Sequence, residues 1–235
     1  MKKGLDFIRE MKTEGRSLWI LYLIVLVITV ILNYYDGEIF QRFIGHINPV
    51  LSVILCCILA LIFLPILRSG KWCNIKNKVS RADGLKIIGL VAAFGCIAIS
   101  VDYQLPFPED INILFPASLL FYPGIAFVVE ILFHIVPLSI LLILSTYFFK
   151  NLKSKNYLYL SFLVIALLEP TYQVKFMEGF PCWAMVITWF NLLLFNLTQL
   201  NYFRKYGFLA MYSIRLLYYL IWHIVWGGVR LEILF

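Results

Sequence analysis

Five ionisable side chains fall inside long apolar stretches of this 235-residue chain: Glu130, His134, Glu169, Arg215 and His223. A charge at the centre of a membrane-spanning helix costs about 2.5–3.5 kcal/mol on insertion scales, so each calls for a partner or a purpose. Two carboxylates and two imidazoles are the groups that hold a divalent metal, or that activate a water by general-base catalysis. Glu130 and His134 stand four apart, which stacks them on one helix face. Glu169 is followed by Pro170, which weakens a helix and can free a backbone carbonyl. His223 lies between Trp222 and Trp226, and Arg230 returns to nearly the same face.

Depth follows from the helical rise of about 1.5 Å per residue. Measured from the inner ends of their spans, Glu169, His134, His223 and Glu130 stand roughly 18, 22, 24 and 28 Å up, and Arg215 roughly 12 Å. The first four therefore share the outer half of a bilayer about 30 Å thick, which predicts convergence from three helices. Each has a plainer reading too. Glu130 with His134 can be a polar pair joining helices, Glu169 a hydrated interfacial charge, and His223 a member of an aromatic belt. Arg215 reads as structural, snorkelling inward or paired with a helix carbonyl.

The elements that must carry these groups are membrane helices. The chain is 62% apolar, 17% aromatic and 14% charged, with mean hydropathy +0.88, far from the roughly 45–50% apolar and 25% charged of soluble domains. Seven apolar stretches, 18–32, 47–67, 87–101, 114–149, 157–172, 180–200 and 207–226, are apolar on every face. A β-barrel would alternate apolar and polar residues, so the expected architecture is an all-α polytopic bundle, one membrane domain over 1–235. The fourth stretch is too long for one crossing. Pro116 and Pro123-Gly124 predict a break, with the span proper running from about 124 to 149.

Lys and Arg alternate between the spans, sixteen on one side against three on the other, with Arg215 inside a helix. The positive-inside rule then places the N-terminus in the cytoplasm and makes the number of spans odd. The net charge of +7 thus reports orientation in the cell membrane, with no nucleic-acid partner expected. Residues 1–16, with Leu5, Ile8 and Met11 on one side, predict an amphipathic cytoplasmic segment on the inner leaflet. Cys56, Cys57, Cys73, Cys96 and Cys182 lack ligand spacing and read as small buried apolar residues. Thr188, Asn191, Asn196, Thr198 and Gln199 on the sixth span read as interhelical hydrogen-bonding groups.

The run Val129-Glu130-Ile131-Leu132-Phe133-His134 resembles the first signature of the CAAX-protease and bacteriocin-processing (CPBP) family of intramembrane endopeptidases, two glutamates, three residues and an arginine. The family's second motif, an aromatic followed four residues later by histidine, falls on Ile165-Ala-Leu-Leu-Glu169, and its third, histidine with Asn or Asp four later, on His223-Ile-Val-Trp-Gly227. The similarity spans about residues 124–230. Glu130 and His223 match, whereas Val129, His134, Glu169 and Gly227 depart from the pattern.

The resemblance implies a bacterial membrane endopeptidase acting on a peptide or membrane-protein substrate. Glu130 or Glu169 would be the general base and His223 a catalytic partner, with His134, Glu169 and His223 as ligands if a divalent metal such as zinc takes part. Two further readings stay open: a CPBP-like scaffold or regulator that has lost catalysis, and a transporter using Glu130 and Glu169 as proton or cation sites.

Overall fold

The computed structural model describes residues 2–73, 79–148, 155–177 and 179–235. The chain is a multi-pass helical membrane protein, and seven helices are long and apolar enough to cross a bilayer. They are α1 (Lys2–Tyr35, apolar from Gly15), α2 (Pro49–Ser69), α3 (Arg81–Gln104), α4 (Ser118–Tyr147), α5 (Tyr157–Val174), α6 (Cys182–Tyr206) and α7 (Phe208–Leu234). No strand occurs among the described residues, as the absence of alternation requires.

Local signals place several ends. Asn48 caps α2, its Oδ1 accepting from Val50 N at 2.9 Å and Leu51 N at 3.2 Å ahead of Pro49. Ser80 caps α3 by accepting from Asp83 N at 3.1 Å. A single residue separates α6 from α7. Gly207 makes that reversal at φ 86°, in the left-handed region where a side chain is disfavoured.

α4 and α6 form the heart of the bundle. α4 packs on α1, α2, α5 and α7, while α6 packs on α3, α5 and α7. Phe121, Tyr122, Phe127, Ile131 and Leu138 of α4 are almost fully buried. Two departures from expectation concern this helix. The helix does not break at Pro123: it runs unbroken from Ser118 to Tyr147, with Tyr212 donating to the Pro123 carbonyl at 2.9 Å and α1 packed closely at Gly124. A Cβ at Gly124 would stand 3.2 Å from Thr29 Oγ1.

The second departure is a local unwinding. Residues Glu130–Ile135 of α4 and Leu220–Val225 of α7 are π-helical, the wider turn often seen at functional sites. The amides of Val136 and Trp226 reach back five residues, to Ile131 and Ile221. Residues 2–16 continue directly into the first span as one helix, and the side chains named there, Leu5, Ile8 and Met11, lie outside the described ones. The cysteines divide: Cys56 and Cys73 are buried and Cys57 half-buried, but Cys96 and Cys182 are exposed, which corrects the expectation that all five are buried. Both exposed thiols sit on apolar helices, where hydrocarbon rather than protein can solvate them.

Candidate functional site

Arg215 is the centre of the buried polar cluster. From α7 its Nε donates to Glu130 Oε1 of α4 at 2.6 Å. Its Nη1 and Nη2 donate to the two Glu169 oxygens of α5, both at 2.8 Å. That bidentate fork fits a carboxylate better than any other cation can. Nη2 also reaches Gln199 Oε1 at 2.9 Å and Asn196 Oδ1 at 3.5 Å, both from α6, and Nη1 reaches the Tyr219 hydroxyl at 3.4 Å. Gln199 Nε2 donates to Glu130 Oε1 and, at 3.3 Å, to the Met211 carbonyl. Arg215, Glu130 and Glu169 are at most 2% exposed.

Arg215 therefore pairs with both carboxylates, neither snorkelling nor binding a lone carbonyl as its sequence suggested. The depth arithmetic set it apart because it ignored reach and overhang. An arginine side chain spans several ångströms along the bilayer normal, and α4 runs for 30 residues, about 45 Å at 1.5 Å each, longer than the hydrocarbon is thick. Counting from its inner end overstated the height of Glu130.

Pro170 acts as its position predicts. Lacking an amide hydrogen, it leaves the Ala166 carbonyl without its helical donor, and Asn196 Nδ2 supplies one from α6 at 3.3 Å. The same side chain thus closes a backbone gap in α5 and faces the guanidinium. Asn191 likewise donates across to the Phe94 carbonyl at 3.1 Å, whereas Thr198 bonds back to Leu194 of its own helix.

Beyond Glu130 the cluster is unfinished. His134 Nδ1 stands 3.0 Å from Glu130 Oε2 as an ion-pair contact, yet Oε2 and both imidazole nitrogens are buried without a hydrogen-bond partner among the described residues. One guanidinium faces two carboxylates, with the His134 imidazole beside Glu130. A buried net charge is costly.

His223 sits elsewhere. Its Nδ1 lies 2.7 Å from Asn112 Oδ1, and its ring stacks on Tyr122 at 4.7 Å and meets the edge of Tyr219 at 4.9 Å. With Nδ1 donating to the amide oxygen, Nε2 keeps its lone pair. Gly227 makes this approach possible, since a Cβ there would stand 3.0 Å from Asn112 Cβ. Tyr219 is the bridge between the two groups, touching Arg215 on one side and His223 on the other.

The loop that brings in Asn112 is fastened by a second buried ion pair, Asp102 with Arg230. Arg230 Nε and Nη2 donate to the two Asp102 oxygens at 2.7 and 2.9 Å. The guanidinium also donates to the Phe107 carbonyl at 2.6 Å and the Pro108 carbonyl at 3.0 Å. Trp226 Nε1 and Phe107 N complete the carboxylate at 2.6 and 2.8 Å. Asp102 fell one residue beyond the expected third span, and its partner lies 128 positions away. Only the paired requirement of Arg230 for an acid near the same bilayer edge hinted at it.

The expected convergence is thus partial. Glu130, His134 and Glu169 meet around Arg215, while His223 belongs to a neighbouring layer with Asn112 and Tyr122. His134, Glu169 and His223 do not fit a divalent-metal site as arranged: both Glu169 oxygens are held by a guanidinium. No group of three or more His, Cys, Asp or Glu among the described residues is placed to hold a metal. Compared with family models, with curated proteins and with solved structures, the chain matches none.

Proposed function

We propose that this chain is a non-hydrolytic membrane protein on a CPBP-like plan, a scaffold or regulator that engages a membrane-embedded partner. The observation that carries this reading is the bidentate Arg215–Glu169 pair. Glu169 stands where the resemblance puts a catalytic histidine, and a carboxylate with both oxygens on a guanidinium is a poor base and a poor ligand. Val129 supplies no acid at the position of the family's first glutamate. The remaining acid, Glu130, is fully buried with Oε1 engaged twice. Hydrolysis needs a water beside a free base: Glu169 has neither oxygen free, and Glu130 Oε2 with the His134 imidazole, though not hydrogen-bonded, is fully buried.

Intramembrane endopeptidase is the second reading, favoured by His223. Asn112 gives its ring an amide partner from another element, in the space that Gly227 leaves open. A cleavage assay separates the two. Purified protein in lipid vesicles is incubated with transmembrane and extracted peptides, and products are read by mass spectrometry. The non-hydrolytic reading expects identical product profiles for wild type, Glu130→Gln and His223→Ala. Cleavage lost in either variant overturns it in favour of the protease.

A further inference from the structure

On the side of the bundle that carries most of the Lys and Arg, an open apolar groove of about 320 Å³ runs between the start of α3 and the first turns of α7. Ile87 of α3 forms one wall; Leu209, Ala210, Ser213 and Leu217 of α7 form the other, and Tyr206 closes the end. Small side chains at 210 and 213 create the depth. The polar atoms of the lining are already used: Ser213 Oγ donates to the Leu209 carbonyl at 2.7 Å, and the Tyr206 hydroxyl donates to Asp83. What the groove offers an occupant is hydrocarbon contact.

Its rim is different. Val79 lines the mouth, and Arg81, two residues on, is exposed, as is Lys86 beside Ile87. Asp83, the nearby acid, is engaged by Lys205 at 3.1 Å and by Tyr206 and Ser80. Arg81, Lys86 and Lys205 against Asp83 leave the adjoining ends of α3 and α6 net positive, at the height where lipid headgroups lie.

We propose that this groove binds an acyl chain of an anionic phospholipid, whose phosphate is met by Arg81 and Lys86. An apolar slot beneath a cationic rim selects a lipid that is hydrocarbon below and negative above. Neither half alone would distinguish it from the surrounding bilayer. The site is separate from the buried cluster, so it stands or falls independently of the proposed function.

Native mass spectrometry of the full chain, released from micelles doped with phosphatidylglycerol or phosphatidylcholine, tests it. Wild type should retain one phosphatidylglycerol in preference to phosphatidylcholine. Arg81→Gln with Lys86→Gln, both exposed, should lower that preference by about fivefold for each cation removed. Ala210→Trp should fill the groove and abolish retention while leaving helix content unchanged. If Ala210→Trp fails to fold, the rim variant alone decides. Equal retention of both lipids by wild type, or a preference untouched by the rim variant, overturns the proposal.

Discussion

Replacing Arg215 by methionine removes the one cation that holds two buried acids. Breaking a buried pair by deleting one partner costs about 3–5 kcal/mol, because the other charge is left without compensation. Here two carboxylates are stranded, Glu130 and Glu169, both hydrogen-bonded to the same guanidinium. At about 2–4 °C per kcal/mol for a chain of this length, Arg215→Met should lower the midpoint by about 6–20 °C. Glu169→Gln should cost less than half as much, since it leaves one acid facing one base and keeps an oxygen for the fork. The triple variant Glu130→Gln, Glu169→Gln, Arg215→Met should recover most of the loss, as neutral substitutes for buried ion pairs often do. Tryptophan-fluorescence melts in a single detergent read all three, with Trp222 and Trp226 of α7 close by in sequence. A midpoint for Arg215→Met within about 2 °C of wild type, or losses that add across the triple variant, would refute the account of the cluster as a mutually dependent unit.

Three further outcomes follow from other contacts. Asn196→Leu should cost about 1–3 kcal/mol by orphaning the Ala166 carbonyl, and less in a Pro170→Ala background, where an amide from α5 returns to that oxygen; a melting cycle measures the difference. Asp102→Asn should loosen residues 105–113 by weakening the Arg230 clamp, seen as faster proteolysis there while the rest of the bundle stays protected; unchanged cleavage would mean the clamp does not depend on the Asp102 charge. Gly95→Ala should cost about 1–3 kcal/mol by overpacking, its Cβ standing 2.7 Å from Ile221 Cγ2, and Ile221→Ala should rescue it in a double-mutant melt.

The helices were legible because membrane insertion writes composition directly into sequence. Seven stretches with no polar face leave little other architecture, and a spanning helix lies on each, with ends shifted by up to eight residues. The partners were harder. Glu130, Glu169 and His223 stood out as costly residues, yet rotation about each helix axis is fixed by packing that no single stretch encodes. Gln199 and Asn196 were recognised as interhelical donors without their targets. Asp102 was missed because it sits where the apolar run ends, and an acid at a bilayer edge looks hydrated until its partner is known. The π-helical turns left no readable mark: with Glu130, His134 and His223 the only ionisable residues in those segments, one added residue shifts no continuous polar stripe from which a register could be read.

The two π-helical segments and the two arginine clamps bear on one another. Leu220–Val225 lies between Arg215 and Arg230 on α7, so the two clamps anchor that helix on either side of its unwound turn. Glu130 opens the other π segment and is gripped by Arg215. Both places where the ladder departs from α geometry are therefore held by buried charge from outside their own helix. A wider turn in α7 changes the direction of His223 relative to Tyr219, and Asn112 meets the ring from a loop held by Arg230 at Pro108 and by the Tyr122 hydroxyl at Ile113. The position of His223 thus rests on direct contacts with Asn112, Tyr122 and Tyr219, and two ion pairs that do not touch it brace the elements carrying them. The geometry at that histidine therefore depends on partners far away in sequence, Asn112 and Tyr122, as well as on Tyr219 one turn back.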